Sequence, residues 1–542
     1  MINNSYLFGD IGLDSIGFYA PRYYISLDEL AKARGVDPNK YSKGLMLKEM
    51  RFPEADEDII SMGLKAAYSS LLRGKINPKE IDAIFVGTET VTYAVKSVSN
   101  IFAELLDVSP NCLTQDIYNA CAGGTLAILN AIGLIEKDVI NKALVISADI
   151  SKYPLGSPSE PTQGSGAIAL VISKNPRIAS FSKRFGKVSG NVNDFWRSPG
   201  KDTAEVFGHY SVDSYLKFQL EAYDDLMDNI GEFYADYYAF HAPFSKLPLK
   251  CMRQIIEKRW VHNLNNLLKI NATQLKDSLF QKLDSFLQDI SVLPEYVYLN
   301  LKERGLSSSK LEKLSNWVVS NVKGKILPHL SVPMHFGNMY NAAVWAQIVY
   351  ILENYANENN TIYFGSYGSG ATCISGLLKT KYGFKKVVER GPKIEDFLNN
   401  YKEHKTIQEY EDLKSGKIKP EIFVGKIIEH ELNDNRGFYL RFCDEGCIIP
   451  NIEGLNYCPQ GHSGFHERFF PLYAKLDSDP IKTNNFDFSY LNKGLVRIGD
   501  NVAKDNTLEY EIRRVSMKDE ELSAKGLLNW SPKYVRAYQP FV

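Results

Sequence analysis

Short apolar runs separated by helix-patterned segments constrain the fold of this chain more than any other feature. Asp82-Ala-Ile-Phe-Val-Gly-Thr88, Ala143-Leu-Val-Ile-Ser-Ala148 and Gly166-Ala-Ile-Ala-Leu-Val-Ile-Ser173 read as buried strands. Between the first two, Gly123 to Ile140 spaces Leu126, Leu129, Ile132 and Leu134 to line a buried helix face. Strands alternating with helices predict an α/β fold with central sheets. The second half repeats the style, with strand patterns at Tyr238–Pro243, Thr361–Ser366 and Gly370–Gly376. A duplicated α/β architecture fits this recurrence, although no residue-level repeat marks it.

Two regions break the pattern. Residues 261–325 are polar and helix-like, with Leu267, Leu275, Leu279, Leu283 and Leu287 near helical spacing, and read as a peripheral helical insertion. Residues 420–502 turn to short β-like runs punctuated by Gly and Asn, such as Ile422–Ile428 and Gly437–Cys443, and read as a small β-rich extension. Lys414–Pro420 is the candidate linker. The expected organisation is a first half over 1–180, a second over 181–415, the extension, and a closing segment over 503–542.

Composition removes several function classes. The chain has 63 Lys+Arg against 64 Asp+Glu, a net charge of -1, without the basic excess of a nucleic-acid binder. No run approaches the ~18 apolar residues of a membrane span, and the first residues do not read as a signal peptide. Seven scattered cysteines suit reduced thiols rather than a disulfide framework, so the expected compartment is the cytoplasm.

Cys121, in Asn119-Ala-Cys-Ala-Gly-Gly-Thr125, sits where a helix pattern begins. The partial positive charge of a helix N-terminus is expected to lower its pKa, and the small residues after it to admit a thioester. The plainer reading is a structural cysteine beside glycines needed for packing. Glu89 ends a strand pattern in Val86-Gly-Thr-Glu-Thr90, where an apolar edge can raise a carboxyl pKa for acid–base work; most such glutamates are simply solvated. His241, in Phe240-His-Ala-Pro-Phe-Ser-Lys246, can polarise a carbonyl or protonate a leaving thiolate, or be a hydrogen-bonded core residue. Lys246 and Lys250 follow at helical spacing, facing phosphates or water. Gly337-Asn-Met-Tyr340 and Ser366-Tyr-Gly-Ser-Gly370 are glycine-rich turns suited to a thioester pocket; the second is not a P-loop.

In this order the motifs resemble the 3-hydroxy-3-methylglutaryl-CoA synthase family of the thiolase superfamily, from about residue 10 to 260 and from about 330 to 415. Ser147-Ala-Asp-Ile-Ser-Lys-Tyr153, Glu160-Pro-Thr-Gln-Gly-Ser-Gly166, Asn193-Asp-Phe-Trp-Arg197 and His209–Asp213 look like its bacterial branch, and Lys533–Tyr538 like its closing segment. The resemblance implies a thiolase fold, two similar halves in a five-layer αβαβα arrangement. It implies condensation of acetyl-CoA with acetoacetyl-CoA in the mevalonate pathway, by a homodimer without a cofactor, the CoA thioesters being substrates. By position, Cys121 matches the acetylated nucleophile, Glu89 the general acid/base and His241 the residue that positions acetoacetyl-CoA. Tyr153, Phe195, Asn338, Tyr340 and Ser369 match acyl-pocket positions, and Lys246 and Lys250 fall near CoA. Ala122, where relatives often carry a bulkier residue, and His335 depart from the pattern.

The main alternative is a β-branching polyketide synthase of the same family, working on acyl-carrier-protein substrates. The compact Lys152–Pro158 link favours the CoA-dependent form. A second alternative is a non-catalytic scaffold, against which Cys121, Glu89 and His241 speak together. A thiolase or an acyl-carrier protein is the further partner class; nucleic acid and membrane are not expected. In the extension, Cys443, Cys447, Cys458 and His462 are the ligand types of a zinc site, but both pairs have three intervening residues where zinc ribbons commonly have two. Scattered cysteines in a loop are the expected outcome.

Overall fold

The computed structural model describes residues 7–255 and 323–418, apart from 56, 94 and 107, together with 302, 307–309 and seven short strands between 437 and 517. The segment 261–325, expected to be a helical insertion, therefore lies almost wholly outside the described residues. The chain divides into two units, with a boundary between Lys419 and Pro420.

The first unit is organised by a ten-stranded sheet. Its strands are β1 (Phe8–Tyr19), β2 (Ala83–Gly87), β3 (Leu113–Ile117), β4 (Lys142–Ile150), β5 (Ser165–Lys174), β6 (Ala179–Ser182), β7 (Gly186–Ser189), β8 (Tyr237–Phe240), β9 (Thr361–Gly368) and β10 (Thr372–Thr380). The order is β8-β9-β10-β6-β1-β5-β4-β2-β3, with β7 also on β10. Outward from the central antiparallel pair β1–β6, both directions repeat one pattern. On one side, β1–β5 and β5–β4 are antiparallel, then β4–β2 and β2–β3 parallel. On the other, β6–β10 and β10–β9 are antiparallel, then β9–β8 parallel. The duplication that leaves no repeat in the residues is thus explicit in the topology. Backbone pairing tolerates wide changes of side chain, provided the strands stay apolar.

The two halves of this continuous sheet form separate layers, and five helices among the described residues pack on them: α1 (Ile59–Gly74), α2 (Gly123–Glu136), α3 (Gly208–Ile230), α4 (Lys246–Ile255) and α5 (Ala343–Asn354). A Cβ on Gly63 of α1 would meet Ile146, and one on Gly124 of α2 would meet Ser147. Adjacent strand residues point to opposite faces, so α1 and α2 flank the first sheet. In the second repeat Trp345 of α5 packs on Phe364, while Gly365 faces Gln219 of α3. The two inner helices meet where Trp345 Nε1 donates to Thr125 Oγ1 at 2.9 Å. The layers therefore run α1, sheet, α2 with α5, sheet, α3, the five-layer α/β arrangement expected from the resemblance. Burial on both faces explains why these strands read as continuous apolar runs.

Helix α2 stops at Glu136, short of the expected Ile140, because Lys137 caps it and Asp138 turns into the left-handed region at φ 55°. The expected linker also starts too early. Thr406 and Glu409 form a capping box that opens a helix over Ile407–Lys414, and Lys414 is its last residue. In the second unit β11 (Gly437–Cys443) pairs antiparallel with β12 (Ile448–Ile449) and β13 (Phe465–Pro471). Cys447, Cys458 and His462, and the side chain of Cys443, lie outside the described residues, so the zinc expectation does too.

Candidate active site

The site begins at the corner between β3 and α2. Ala120 adopts φ 42°, and the Ala122 amide bonds Asn119 O at 2.9 Å, so Cys121 stands on a tight, strained turn. Ala122 is the helix N-cap, which places Cys121 one residue outside the helix. Two glycines let the corner press onto the sheet: a Cβ on Gly87 would lie 2.2 Å from Gly124 N, and one on Gly124 2.2 Å from Ser147 Oγ. The plainer reading of Gly124 therefore holds, because it serves helix-to-sheet packing.

Glu89 lies two residues past β2, and the Cys121 thiol donates to its Oε1 at 3.2 Å. Both side chains are buried. Beneath them Asp149, at the end of β4, organises the loop. Its Oδ1 accepts the amides of Glu89 and Thr90 at 2.9 and 3.0 Å and the hydroxyls of Thr88 and Thr90 at 2.9 and 2.8 Å. Its Oδ2 accepts Asn341 N at 3.1 Å and Asn341 Nδ2 at 2.9 Å. Asn341 Oδ1 in turn accepts Gly124 N at 2.9 Å. One side chain thus ties helix α2 to the carboxylate beneath Glu89. Arg197 adds a hydrogen bond to the Glu89 carbonyl.

The electrostatics correct the expectation for Cys121. Burial, followed by the adjacent Glu89, drives its pKa well above the ordinary thiol value. The helix charge cannot offset this, since the cysteine sits outside the first turn and Asn341 already occupies the Gly124 amide. For Glu89 the expected rise is present: burial, then Asp149, pushes it up to about 8. Near neutral pH the pair is thus a protonated carboxyl beside a thiol, with the carboxylate within reach.

Tyr153, Phe195 and Tyr340 form an aromatic wall, with ring centroids 6.4 Å apart for Tyr153–Phe195 and 6.0 Å for Phe195–Tyr340. Cys121 and Glu89 act electrostatically on both tyrosines, whose hydroxyls burial holds protonated. Asn338 is buried, and its Oδ1 accepts Tyr340 N at 3.0 Å, holding Tyr340 at φ 45°. Gly337 has to be glycine: at φ 75° its Cβ would lie 1.8 Å from Gln163 O. Ser369 follows β9, whose last residue, Gly368, abuts Asn119 and Ala122 beside Cys121. Its turn is fixed by buried Asp194, which accepts Tyr367 OH at 2.9 Å and Gly370 N at 3.1 Å.

His241 lies one residue past β8; its amide bonds Gly365 O at 2.8 Å and its carbonyl accepts Tyr215 OH at 2.6 Å. Burial lowers its pKa to about 3, so the ring is neutral, and its buried Nδ1 has no hydrogen-bond partner among the described residues. Lys246 opens α4 and Lys250 follows one turn later, both partly exposed. His335 is held by Ser331 O at 2.8 Å through Nδ1. Asp149, Asn341 and Asp194 were not singled out from the sequence. A lone Asp or Asn inside an apolar run gives no sign that it will carry several hydrogen bonds.

A five-layer duplicated α/β fold with a buried cysteine–carboxyl pair at its inner helix defines a thiolase-like protein. Family profiles described as hydroxymethylglutaryl-coenzyme A synthase N terminal and C terminal match residues 8–177 and 190–405. The chain is 30% identical to a hydroxymethylglutaryl-CoA synthase of Gibberella zeae, with 67% of this chain and 80% of that protein covered. It is 34% identical to one from Methanocaldococcus jannaschii, over 44% of this chain and 70% of the relative. The chain belongs to the hydroxymethylglutaryl-CoA synthase family. Among solved structures, MvaS in complex with 3-hydroxy-3-methylglutaryl coenzyme A superposes with a TM-score of 0.59 at 24% identity, covering 79% of this chain and 95% of that one. The curacin-pathway HMG synthase gives 0.58 at 23% identity over 75% and 89%. Both show the shared fold.

Proposed function

We infer that this chain condenses acetyl-CoA with acetoacetyl-CoA and water to give 3-hydroxy-3-methylglutaryl-CoA and CoA, through an acetyl thioester on Cys121. The observation that carries the reading is the buried Cys121–Glu89 pair within this family's fold. Glu89 takes the thiol proton, the thiolate attacks acetyl-CoA, and CoA leaves as its thiol with that proton. Glu89, again a carboxylate, then removes a methyl proton from the acetyl group. The carbon nucleophile attacks the ketone of acetoacetyl-CoA, and the resulting alkoxide is protonated. Water hydrolyses the thioester and restores Cys121. A carboxyl whose pKa lies near neutrality suits both transfers.

Neutral His241 supplies an imidazole that orients the acetoacetyl carbonyl by a hydrogen bond. Tyr153, Phe195, Asn338, Tyr340 and Ser369 line the acyl pocket, and Lys246 and Lys250 meet the CoA phosphates. The deciding experiment is intact-protein mass spectrometry. Acetyl-CoA alone should add roughly 42 Da, the mass of one acetyl group on a covalent nucleophile, and acetoacetyl-CoA should discharge it as product. A label that maps elsewhere than Cys121, or needs a carrier protein to form, overturns the reading.

The working form is a homodimer. Strand β3 ends the sheet and pairs only with β2 among the described residues. Along it and just beyond, Leu113 is 44% and Tyr118 65% exposed. A free, partly apolar edge is a template for pairing with a second copy.

A further inference from the structure

Tyr153 is the only member of the aromatic wall whose own amide and carbonyl are both gripped by side chains among the described residues. Its N–H donates to Gln163 Oε1 at 2.7 Å. The Lys414 ammonium donates to Tyr153 O and, at 2.6 Å, to the same Gln163 Oε1. Gln163 Nε2 donates to Tyr410 OH at 2.7 Å, and that hydroxyl also accepts Lys414 Nζ at 3.2 Å and donates to Glu160 Oε1 at 3.2 Å. Glu160 is anchored by Arg34 through two bonds of 2.8 Å, and Arg34 reaches back to Glu411 at 2.6 Å. The loop from Ser151 to Gly164 is closed at its base by Gly164 N bonding Ser151 Oγ at 2.7 Å. Three residues of one short helix, Tyr410, Glu411 and Lys414, therefore hold a loop whose Tyr153 faces Cys121 and Glu89. That helix lies beyond the family-matched residues.

We propose that Lys414, supported by Tyr410, is a positioning residue that sets the place of Tyr153 in the acyl pocket. It touches no reacting atom and acts through the Tyr153 backbone. This rests on the reading of Tyr153 as pocket wall. A half-buried ammonium held between a carbonyl and an amide oxygen is costly to leave unpaired, so the loop and the helix end are held together. Substrate-positioning errors of about 1 Å cost up to ~10²-fold in rate.

The test is a double-mutant cycle with Lys414→Met and Tyr153→Ala, reading Cys121 acetylation and overall condensation separately. Lys414→Met should lower kcat/KM for condensation by about 10–100-fold while acetylation changes less than about threefold. Lys414→Arg should recover most of the loss. In the Tyr153→Ala background, Lys414→Met should have no further effect, because there is no ring left to place. Tyr410→Phe, a gentler change, should act in the same direction should Lys414→Met fail to fold. Lys417→Met, at an exposed lysine paired with Asp412, should leave both activities unchanged. Equal, additive losses in both backgrounds would mean a merely structural role and overturn the proposal. So would wild-type condensation by Lys414→Met while Tyr153→Ala is impaired, a result that leaves the pocket reading intact. If Tyr153→Ala condenses normally, the pocket reading fails and the proposal with it.

Discussion

Replacing Glu89 by Gln should separate the two halves of the chemistry and stabilise the protein at the same time. Burial and Asp149 hold the Glu89 carboxyl at about 8 rather than 4.5. At roughly 1.4 kcal/mol per pH unit, ionising it inside the fold costs about 5 kcal/mol more than in the unfolded chain. Because the folded pKa is the higher one, the wild type loses stability as pH rises from the unfolded value towards the folded one. Gln cannot ionise, so Glu89→Gln escapes that loss. Its thermal stability should match wild type near pH 4.5, exceed it progressively up to about pH 8, and then hold a constant lead. A lead of about 2–4 kcal/mol at pH 8 allows for the amide's own burial. Acetylation loses the same carboxylate as acceptor of the thiol proton but needs no carbon acid; a thiol is far more acidic than the methyl of an acetyl thioester, so acetylation should slow much less than condensation. Condensation lacks its base and should drop by about 10²–10⁴-fold, with acetyl-enzyme accumulating in the presence of acetoacetyl-CoA. Thermal melts at pH 5 and 8.5, paired with mass spectrometry of the quenched enzyme, measure all of this. Near wild-type condensation would refute Glu89 as base, and a stability difference that does not grow with pH would refute its raised pKa.

Cys121→Ala should abolish the acetyl label altogether, as peptide mapping will show. His241→Ala should acetylate normally but lose about 1–3 kcal/mol of acetoacetyl-CoA binding, read as a raised KM for that substrate alone. Arg73→Met should destabilise the fold by about 3–5 kcal/mol in denaturant melts, because it leaves Glu353, its fully buried partner at 2.8 Å, unpaired. Thr114→Pro should weaken the dimer in light scattering while sparing monomer stability: Leu113 N bonds inward to Asp82 O at 2.8 Å, so the next N–H along the strand points outward.

The sheet strands were legible because burial on both faces demands unbroken apolar runs, and Gly166–Ser173 differs from β5 by one residue at each end. Cys121, Glu89 and His241 were legible as residue types at element ends. What stayed hidden was everything that depends on depth. Helix-start position argued for a depressed Cys121 pKa, yet burial, which no local motif encodes, sends it upward. Asp149 and Asn341 are separated by 192 residues and meet only because the two repeats face each other. The Lys414 clamp was hidden for the same reason, and its segment read as linker because Lys-Ser-Gly-Lys is polar and flexible in composition.

The duplication also explains why the site lies where it does. Glu89 lies just past β2 and His241 just past β8, and β2 and β8 hold corresponding places in the two repeats. Cys121 is one residue before the N-cap Ala122 of α2, and Asn341 is one residue before the N-cap Ala342 of α5. The same pair of structural positions therefore carries a thiol and a carboxyl in the first repeat, an amide and a neutral imidazole in the second. In the proposed mechanism the repeats divide the work. One supplies groups that exchange protons and form the covalent bond, the other groups that only donate or accept hydrogen bonds. Asn341 joins them, since it holds both the Gly124 amide of α2 and the Asp149 carboxylate beneath Glu89. Asn341→Ala should consequently disturb the nucleophile and the base together, slowing Cys121 acetylation and condensation alike, in contrast to the split expected of Glu89→Gln. If Asn341→Ala instead slowed condensation alone, the two repeats would be coupled by something other than this side chain.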